Sequence, residues 1–441
     1  MNVEISFPGL SSTDGVYLTW RPIPATIRLL EPSASPNPVS VRISSKPNNV
    51  GARLAFATTL THRGTDTLDL VLAADGTPVE LWVGGKFNPP DAQSPSPASQ
   101  ADGDIAIEVH ELLAGTIDRR LGGRPAMIRV RKNAETLTDG ERDRFLSAMA
   151  VLNGRGTGKF VDFRDMHNAA AYPQIHTNMS FLPWHRAYLL DLERELQADF
   201  PDVALPYWHF DHPAPRLFQP SFMGVSVSGR VRFSDTNPLR NWAGPGTTAG
   251  VLRGNGVGPQ TVIGARTELQ CLALSSGPNA NFQPFAVPLE GNPHGPAHTR
   301  HNGTSATSWI GDPTTSQMDP LFYLLHNNVD RLWAKWQWLQ SLAGARLDDP
   351  AAPASYSTAA NLHFGHNRND TMWPWDGLSR TGTVFPDGSQ GPPIGPGGGL
   401  AASKMTTAPG PKPTVASMID YFGRHGGQPL AFAYDDVPFV V

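Results

Sequence analysis

Six histidines fall into two groups of three, and their residue type and spacing make them the best candidates for chemistry in this sequence. The first group is His167, His176 and His185, and the second is His294, His298 and His326. A neutral imidazole is a good ligand for copper, zinc, iron or nickel, and three imidazoles per metal leave a coordination position open for a small molecule. Two such groups predict two neighbouring metal ions with open faces.

Two of these histidines lie on the apolar faces of predicted helices. After a proline, His185 shares an i, i+3, i+7 stripe with Tyr188 and Leu192, and His326 follows Phe322 by four residues. Both imidazoles should therefore point into the protein, where their nitrogens need a hydrogen bond or a metal. A single buried histidine is most often hydrogen-bonded, but two of them with partners nearby in the sequence favour a metal.

The helix starts have recognisable signals. Thr138 and Glu141 form a capping box, and Asp319 is predicted to cap the helix that carries His326, with Pro320 in its first position. In the first group, His167 fits one face of a short helix that begins near residue 160. His176 is predicted to lie in a loop.

The second group contains the segment HGPAH, which runs from His294 to His298. Side chains four residues apart share one face of a helix, but Gly295 and Pro296 allow a helix to start here and not to run through. The spacing alone is a weak metal signal, and His301 could take the place of His298 as a ligand.

Composition points to a small-molecule substrate. The chain of 441 residues is longer than a single hydrophobic core usually supports, so two domains are expected. The net charge of -4 does not favour binding to nucleic acid or to an anionic membrane. Cys271 is the single cysteine, which excludes an intrachain disulfide. The N-terminus lacks an apolar run and no apolar stretch is long enough to span a membrane, so we expect a cytoplasmic protein, with export by a partner as the alternative.

The chain is predicted to be a multidomain protein. The first hundred or so residues contain seven short alternating runs rich in β-branched residues, which is typical of an antiparallel β-sandwich-like domain, and this domain is predicted to span residues 1–104 together with a Pro/Ser-rich linker. Residues 105–441 form the candidate catalytic domain, in which the pattern changes to helical periodicity from about residue 137. Its part after residue 345 is irregular and rich in Pro and Gly, and the closing segments MIDYF and LAFAYDDVPFVV are predicted strands.

Several segments of this second domain resemble one protein family. FVDFRDMHN, IHTNMSFLPWHRAYLLDLERELQ and LPYW are similar to the first copper-binding region of tyrosinases and related polyphenol oxidases, and LEGNPHGPAH and SQMDPLFYLLHNNVDRLW are similar to the second. The resemblance covers roughly residues 137 to 435 and is closest to bacterial members. It implies a mainly α domain in which a four-helix bundle holds a binuclear, type-3 copper site, with three of the six histidines on each of two copper ions.

The activity that this resemblance implies is the oxidation of phenols, catechols or both to o-quinones with dioxygen. Two alternatives remain open, an o-aminophenol oxidase and a dioxygen-binding protein of the hemocyanin type. A zinc or structural protein with six coincidental histidines is a poorer explanation, because spacing and flanking residues agree. The expected partners are a small phenol and dioxygen, together with a possible second copy of the chain and a possible copper-delivery protein.

The resemblance also implies roles around the metals. Glu290 matches a carboxylate that orients a water and could help to deprotonate the phenol, while Gly295 and Pro313 fall in the substrate pocket. An asparagine in the place of Gly295 often accompanies strong phenol hydroxylation in the family. Asp330 is predicted to accept a hydrogen bond from a ligand imidazole. Where relatives commonly have Asp after LPYW, this chain has His209.

Overall fold

The structure is a computed structural model that describes residues 2–30, 37–88, 95–176, 179–244, 250–299, 308–356, 367–385, 388–396 and 399–440. The chain forms two compact units. The first comprises Met1–Arg131, Ser403–Thr407 and Leu430–Val441, and the second comprises Lys132–Ala402 and Ala408–Pro429.

The first unit is built of strands. They are β1 (Val3–Ser6), β2 (Tyr17–Leu18), β3 (Ile23–Leu29), β4 (Val39–Lys46), β5 (Leu54–Ala57), β6 (Thr67–Leu72), β7 (Val79–Gly85), β8 (Ile105–Leu113) and β9 (Thr116–Ile128). One sheet has the order β1-β3-β7-β5, and the other has the order β2-β9-β8-β4-β6. Alternate residues of β4 and β8 are buried, as expected for strands with one face on a core.

The predicted boundary at residue 104 differs from the boundary between the compact units. Strands β8 and β9 lie beyond residue 104 and pair antiparallel with each other, and β8 pairs with β4. These hydrogen bonds keep both strands in the first unit, which therefore extends to Arg131. The predicted pairing also needs one correction, because β2 runs parallel to β9.

The second unit carries the described helices. They are α1 (Asp139–Asn153), α2 (Phe160–Met166), α3 (Tyr172–Ile175), α4 (Phe181–Asp199), α5 (Glu268–Leu272), α6 (Phe282–Leu289), α7 (Gly295–Thr299), α8 (Leu321–Leu342) and α9 (Val415–Ile419). A π-helical turn, Glu290–His294, leads into α7, and a short hairpin is formed by β10 (Val225–Val227) and β11 (Arg230–Arg232). Short 3₁₀ helices span Ala134–Thr136, Gly154–Gly156, Pro238–Asn241, Trp309–Gly311, Ser316–Met318 and Pro353–Ser355.

The predicted helix starts are largely confirmed. The capping box of Thr138 and Glu141 begins α1. Helix α8 begins one residue later than predicted, but the Asp319 carboxylate still accepts a hydrogen bond from the N–H of Leu321 at 2.9 Å. Asp319 also forms a fully buried ion pair with Arg253, so the start of α8 is fixed from two sides.

The prediction of closing strands was wrong. MIDYF lies at the end of α9, where Thr414 caps the helix through a capping box with Ser417. The described residues after Leu430 form no strand, although Tyr434 bridges to Arg131 within the first unit. Both segments are short and apolar, and periodicity cannot separate a short buried helix from a strand in such runs.

Two further features of the described residues bear on function. No helix among them is long and apolar enough to cross a membrane. On α5, Cys271 is a free and fully buried cysteine, and burial raises the pKa of its thiol to about 12.

Candidate metal centre

The six histidines converge in the second unit as the two predicted groups of three. Within each group the candidate ligand atoms all lie within 4.8 Å of one another. The side chains come from the end of α2, the residue after α3, helix α4, the π-helical turn, α7 and α8. Five of the side chains are buried, and His298 is partly exposed.

Backbone hydrogen bonds fix the protonated nitrogen of three rings. The Nδ1 atoms of His185, His294 and His298 donate to the carbonyl oxygens of Phe181, Glu290 and Ile310 at 2.8, 3.1 and 2.7 Å. Because a carbonyl oxygen only accepts, each ring carries its proton on Nδ1 and leaves a lone pair on Nε2. The Nε2 of His185 is buried without a hydrogen-bond partner.

The separations between the Nε2 atoms fit one small cation in each group. The atom of His167 lies 3.1 Å from that of His176, and the atom of His326 lies 3.3 and 3.1 Å from those of His294 and His298. Imidazole nitrogens about 2.0 Å from a tetrahedral metal are roughly 3.3 Å apart. Two lone pairs at this distance repel unless a proton or a cation lies between them, so the residues present suit a metal.

The two groups adjoin. The rings of His185 and His326 stack with centroids 4.2 Å apart. Phe181 contacts a ring of each group, His185 at 4.7 Å and His294 at 4.8 Å. Phe322 does the same, with centroid distances of 5.0 Å to His167 and 4.1 Å to His326. Each phenylalanine precedes a histidine of its own helix by four residues and so shares its face.

Burial keeps the rings neutral. It lowers the pKa values of four of them well below the ordinary value, and the neighbouring imidazoles lower these values further. The four are His167, His185, His294 and His326. Metal ligation requires the neutral ring, so this environment prepares the ligands for a cation and not for a proton.

Two tyrosines hold three of the site's helices together. The hydroxyl of Tyr188 on α4 donates to the carbonyl oxygen of Phe163 on α2 at 2.5 Å. The hydroxyl of Tyr323 on α8 lies 3.0 Å from that of Tyr188 and donates to it, because the proton of Tyr188 is already used. These two hydrogen bonds connect α2, α4 and α8, the helices that precede or carry His167, His185 and His326.

Asp330, predicted to accept a hydrogen bond from a ligand imidazole, forms a buried ion pair with an arginine. Its carboxylate accepts a hydrogen bond from the Nε of Arg186 at 2.6 Å, and both side chains are buried. The Arg186 guanidinium also stacks 3.6 Å from the ring of Trp333 and donates to the carbonyl oxygen of Met418. Asp330 therefore joins α8 to α4 at the residue next to His185.

A cavity of about 440 Å³ reaches three of the histidines, His176, His294 and His298. Gly295 and Pro313, which were predicted for the pocket, line it, and so does Glu290, which was predicted to be catalytic. The Glu290 carboxylate lies 3.1 Å from the Nδ1 of His176 and orients that ring. His301, the alternative ligand, lies outside the described residues.

Tyr172 is a site residue that sequence reasoning missed. It lines the cavity, and its ring stacks on that of His176 with centroids 4.7 Å apart. The spacing of four residues between the two could have signalled the contact, because α3 is a single turn that brings them to one side. The His176 ring thus has the Tyr172 ring on one face and the Glu290 carboxylate at its edge.

Comparison with known proteins places this geometry in a family. Residues 157–339 match the family model described as the common central domain of tyrosinase. The chain is 34% identical to a tyrosinase of Streptomyces glaucescens over 280 residues, which are 57% of this chain and 93% of that protein.

Two other matches are more distant. A grixazone synthase of Streptomyces griseus is 30% identical over 48% of this chain and 85% of its own length. A functional unit of Octopus hemocyanin, 20% identical, covers 70% of this chain and 69% of that one with a TM-score of 0.44. Because the stretch matched by the family model contains all six histidines and the Streptomyces glaucescens enzyme is covered almost end to end, this chain belongs to the tyrosinase family and resembles its bacterial members.

Proposed function

We propose that this protein oxidises phenols and catechols to o-quinones with dioxygen at a pair of copper ions. The observation that carries the proposal is that two three-histidine groups adjoin beside one cavity, and that histidines of both groups line this cavity. Binuclear copper is the cofactor of the tyrosinase family, and the neutral, closely spaced imidazoles of this chain suit two such ions.

The ligand assignment follows the two groups. His167, His176 and His185 would hold one copper, and His294, His298 and His326 the other. When bound, the copper pair supplies the electron transfer to dioxygen that the oxidation of a catechol to an o-quinone requires. The protein supplies fixed ring orientations and an apolar surround, in which Phe181 and Phe322 keep water away from the rings.

The cavity determines which molecules reach the copper pair. Its volume lies within the usual range for small-molecule sites. Tyr172, Val287 and Pro313 give apolar surface against which an aromatic ring can pack, and Glu290 is the carboxylate among the described lining residues. A phenol that lies against these residues points its hydroxyl toward the histidines that line the cavity.

We assign to Glu290 the removal of the phenolic proton. Its carboxylate lines the cavity and already accepts from His176, so it lies beside the floor where the hydroxyl arrives. A positioned base contributes about 10²- to 10⁴-fold to such a step. The same hydrogen bond gives Glu290 a second role, the orientation of His176.

The variant Glu290→Gln separates these roles. An amide oxygen can still accept from His176, so copper content should stay at two per chain. Turnover of monophenols should fall by at least about tenfold more than turnover of catechols, because only hydroxylation begins with loss of the single phenolic proton. A fall in both that is equal would assign Glu290 to positioning alone.

The cavity favours an enzyme over an oxygen carrier. A carrier must shield its metals from phenols, whereas here the cavity lining includes histidines of both groups. Oxygen uptake by copper-loaded protein, measured in parallel with tyrosine, simple monophenols, catechols and o-aminophenols, tests the proposal. Oxygen binding without turnover of any of these would identify a carrier, and uptake with o-aminophenols alone would identify an aminophenol oxidase.

The proposal also includes two features of the fold and two partners. The helices around the six histidines are taken as a four-helix bundle, and the two sheets of the first unit as a sandwich, since alternate strand residues are buried. A second copy of the chain and a copper-delivery protein are the proposed partners. Gel filtration of copper-free and copper-loaded protein tests the first of these partners.

A further inference from the structure

A second cluster of metal-binding side chains follows the segment LPYW, where the sequence reads HFDH. His209, Asp211 and His212 lie in one turn, in which the N–H of His212 donates to the carbonyl oxygen of His209 at 3.0 Å. Their ligand atoms lie within 4.8 Å of one another. Of the described residues that line the cavity over the six histidines, none belongs to this cluster.

The two imidazoles converge on one carboxylate oxygen. The Oδ1 of Asp211 lies 3.1 Å from the Nε2 of His209 and 3.4 Å from the Nδ1 of His212. The two rings face each other with centroids 4.1 Å apart. These separations match the edges of the ligand sets in the six-histidine centre, and they suit a cation about 2 Å from each atom.

Asp211 is oriented for this role by its other oxygen. The Oδ2 accepts a hydrogen bond from the N–H of Glu268 at 2.6 Å, at the start of α5, which leaves Oδ1 directed at the imidazoles. A hydrogen bond to the rear oxygen of a ligand carboxylate is typical of metal sites.

The Nε2 of His209 is the orphaned atom of the cluster. It is buried and makes no well-aligned hydrogen bond, although Asp211 and Glu268 each place a carboxylate oxygen 3.1 Å from it. A cation that bound here would be contacted by Nε2 and by the oxygen of Asp211 together.

The charges nearby determine the strength and the kind of binding. Glu268 is neutralised by Arg331 at 2.5 Å and by Lys335 at 2.6 Å, so Asp211 is the anionic ligand. Two imidazoles with one carboxylate suit a borderline divalent cation such as Zn²⁺. His212 is exposed, so such a cation would exchange with solvent.

We propose that His209, Asp211 and His212 form a metal site of their own, which binds one Zn²⁺ per chain, apart from the six-histidine centre. The sequence feature that creates it is the segment HFDH, which directly follows LPYW.

Equilibrium dialysis of copper-loaded protein against Zn²⁺, with both metals counted by mass spectrometry, tests the site. We expect one zinc beyond two retained coppers. His212→Asn should weaken zinc binding by at least about tenfold, because it removes a ligand at an exposed position that folding does not need. Asp211→Asn should do the same, while His62→Asn, at an exposed histidine of the first unit, should bind zinc as the parent does.

Two results would overturn the proposal. One is the absence of zinc beyond the two coppers in the parent protein, which would leave the cluster as an ion-paired histidine. The other is zinc binding that His212→Asn leaves unchanged or that His62→Asn removes, which would place the cation elsewhere. Copper counted in the same samples separates both results from a failure of the six-histidine centre.

Discussion

Removal of copper should make the second unit sensitive to mild acid. Burial lowers the pKa values of four ligand rings well below the ordinary value, so in the folded protein they stay neutral at a pH where an unfolded chain binds protons. A depressed pKa gives stability that is fully present above the unfolded pKa of about 6.5 and is lost as the pH falls below it. Copper-free protein should therefore lose stability from pH 7 downward.

The slope follows from proton counting. At pH 5.5 each unfolded histidine is about 90% protonated, so four buried rings account for roughly 3.6 protons. Asp191 acts in the opposite direction, because burial raises its pKa to about 6 and it holds most of a proton only when folded. The balance of these five groups is roughly 3 protons, and their contribution corresponds to about 4 kcal/mol of unfolding free energy per pH unit.

Urea unfolding of the copper-free protein between pH 7 and 5, followed by tryptophan fluorescence, measures this slope. The variant His185→Gln removes one of the four rings and should reduce the slope by about 1.2 kcal/mol per pH unit. His62→Asn should leave it unchanged, because that side chain is exposed. A slope that corresponds to less than one proton, or one that His185→Gln does not alter, would refute the assignment of these rings as buried and neutral.

Three further predictions concern the cavity and its support. Tyr172→Leu removes an aromatic ring from the cavity lining and should raise the KM for catechols roughly fivefold, which corresponds to about 1 kcal/mol for one aromatic contact with the substrate, whereas Tyr172→Phe should behave as the parent; equal KM values in all three proteins would argue against a substrate contact at Tyr172. Gly295→Asn should raise the ratio of monophenol to catechol turnover severalfold in oxygen-uptake assays. The new side chain has room, because among the described residues an added Cβ would meet only the carbonyl oxygen of Glu290, at 3.8 Å. An unchanged ratio would argue against a pocket role for this position. Asp330→Asn leaves the Arg186 guanidinium buried without its anion and should cost about 3 kcal/mol of unfolding free energy in urea titrations, while a loss below 1 kcal/mol would mean that the remaining contacts suffice.

The sequence was most informative where one helical face repeats. His185 and His326 lie on long amphipathic helices, and both are buried as predicted. The shorter helices α2 and α7 also lie near their predicted places, because the apolar spacing before His167 and the Gly-Pro pair after His294 restrict the backbone. The seven predicted strands of the first unit correspond to β2 through β8.

Long-range partners were out of reach of a single sequence. Asp330 was assigned to an imidazole because it lies one turn from His326, and nothing in the sequence pointed to its ion pair with an arginine 144 residues away in the chain. Strand β9 contains Arg119, Arg120, Gly122 and Gly123, which hide its alternation, and its pairing with β8 is what fixes it. Periodicity reports the face that an element buries, and the identity of the neighbour on that face comes from the fold.

The buried thiol of Cys271 can report local unfolding of this protein through its rate of chemical labelling. With the pKa of the thiol raised to about 12, almost none of it is the reactive thiolate near neutral pH, and the side chain has no access to reagent. Since the sequence has one cysteine, labelling by an aromatic disulfide such as dithiobis(nitrobenzoic acid) reports the fluctuations that expose Cys271 on α5. Labelling rates with and without copper would therefore show whether metal loading slows local unfolding at this helix, without any engineered probe.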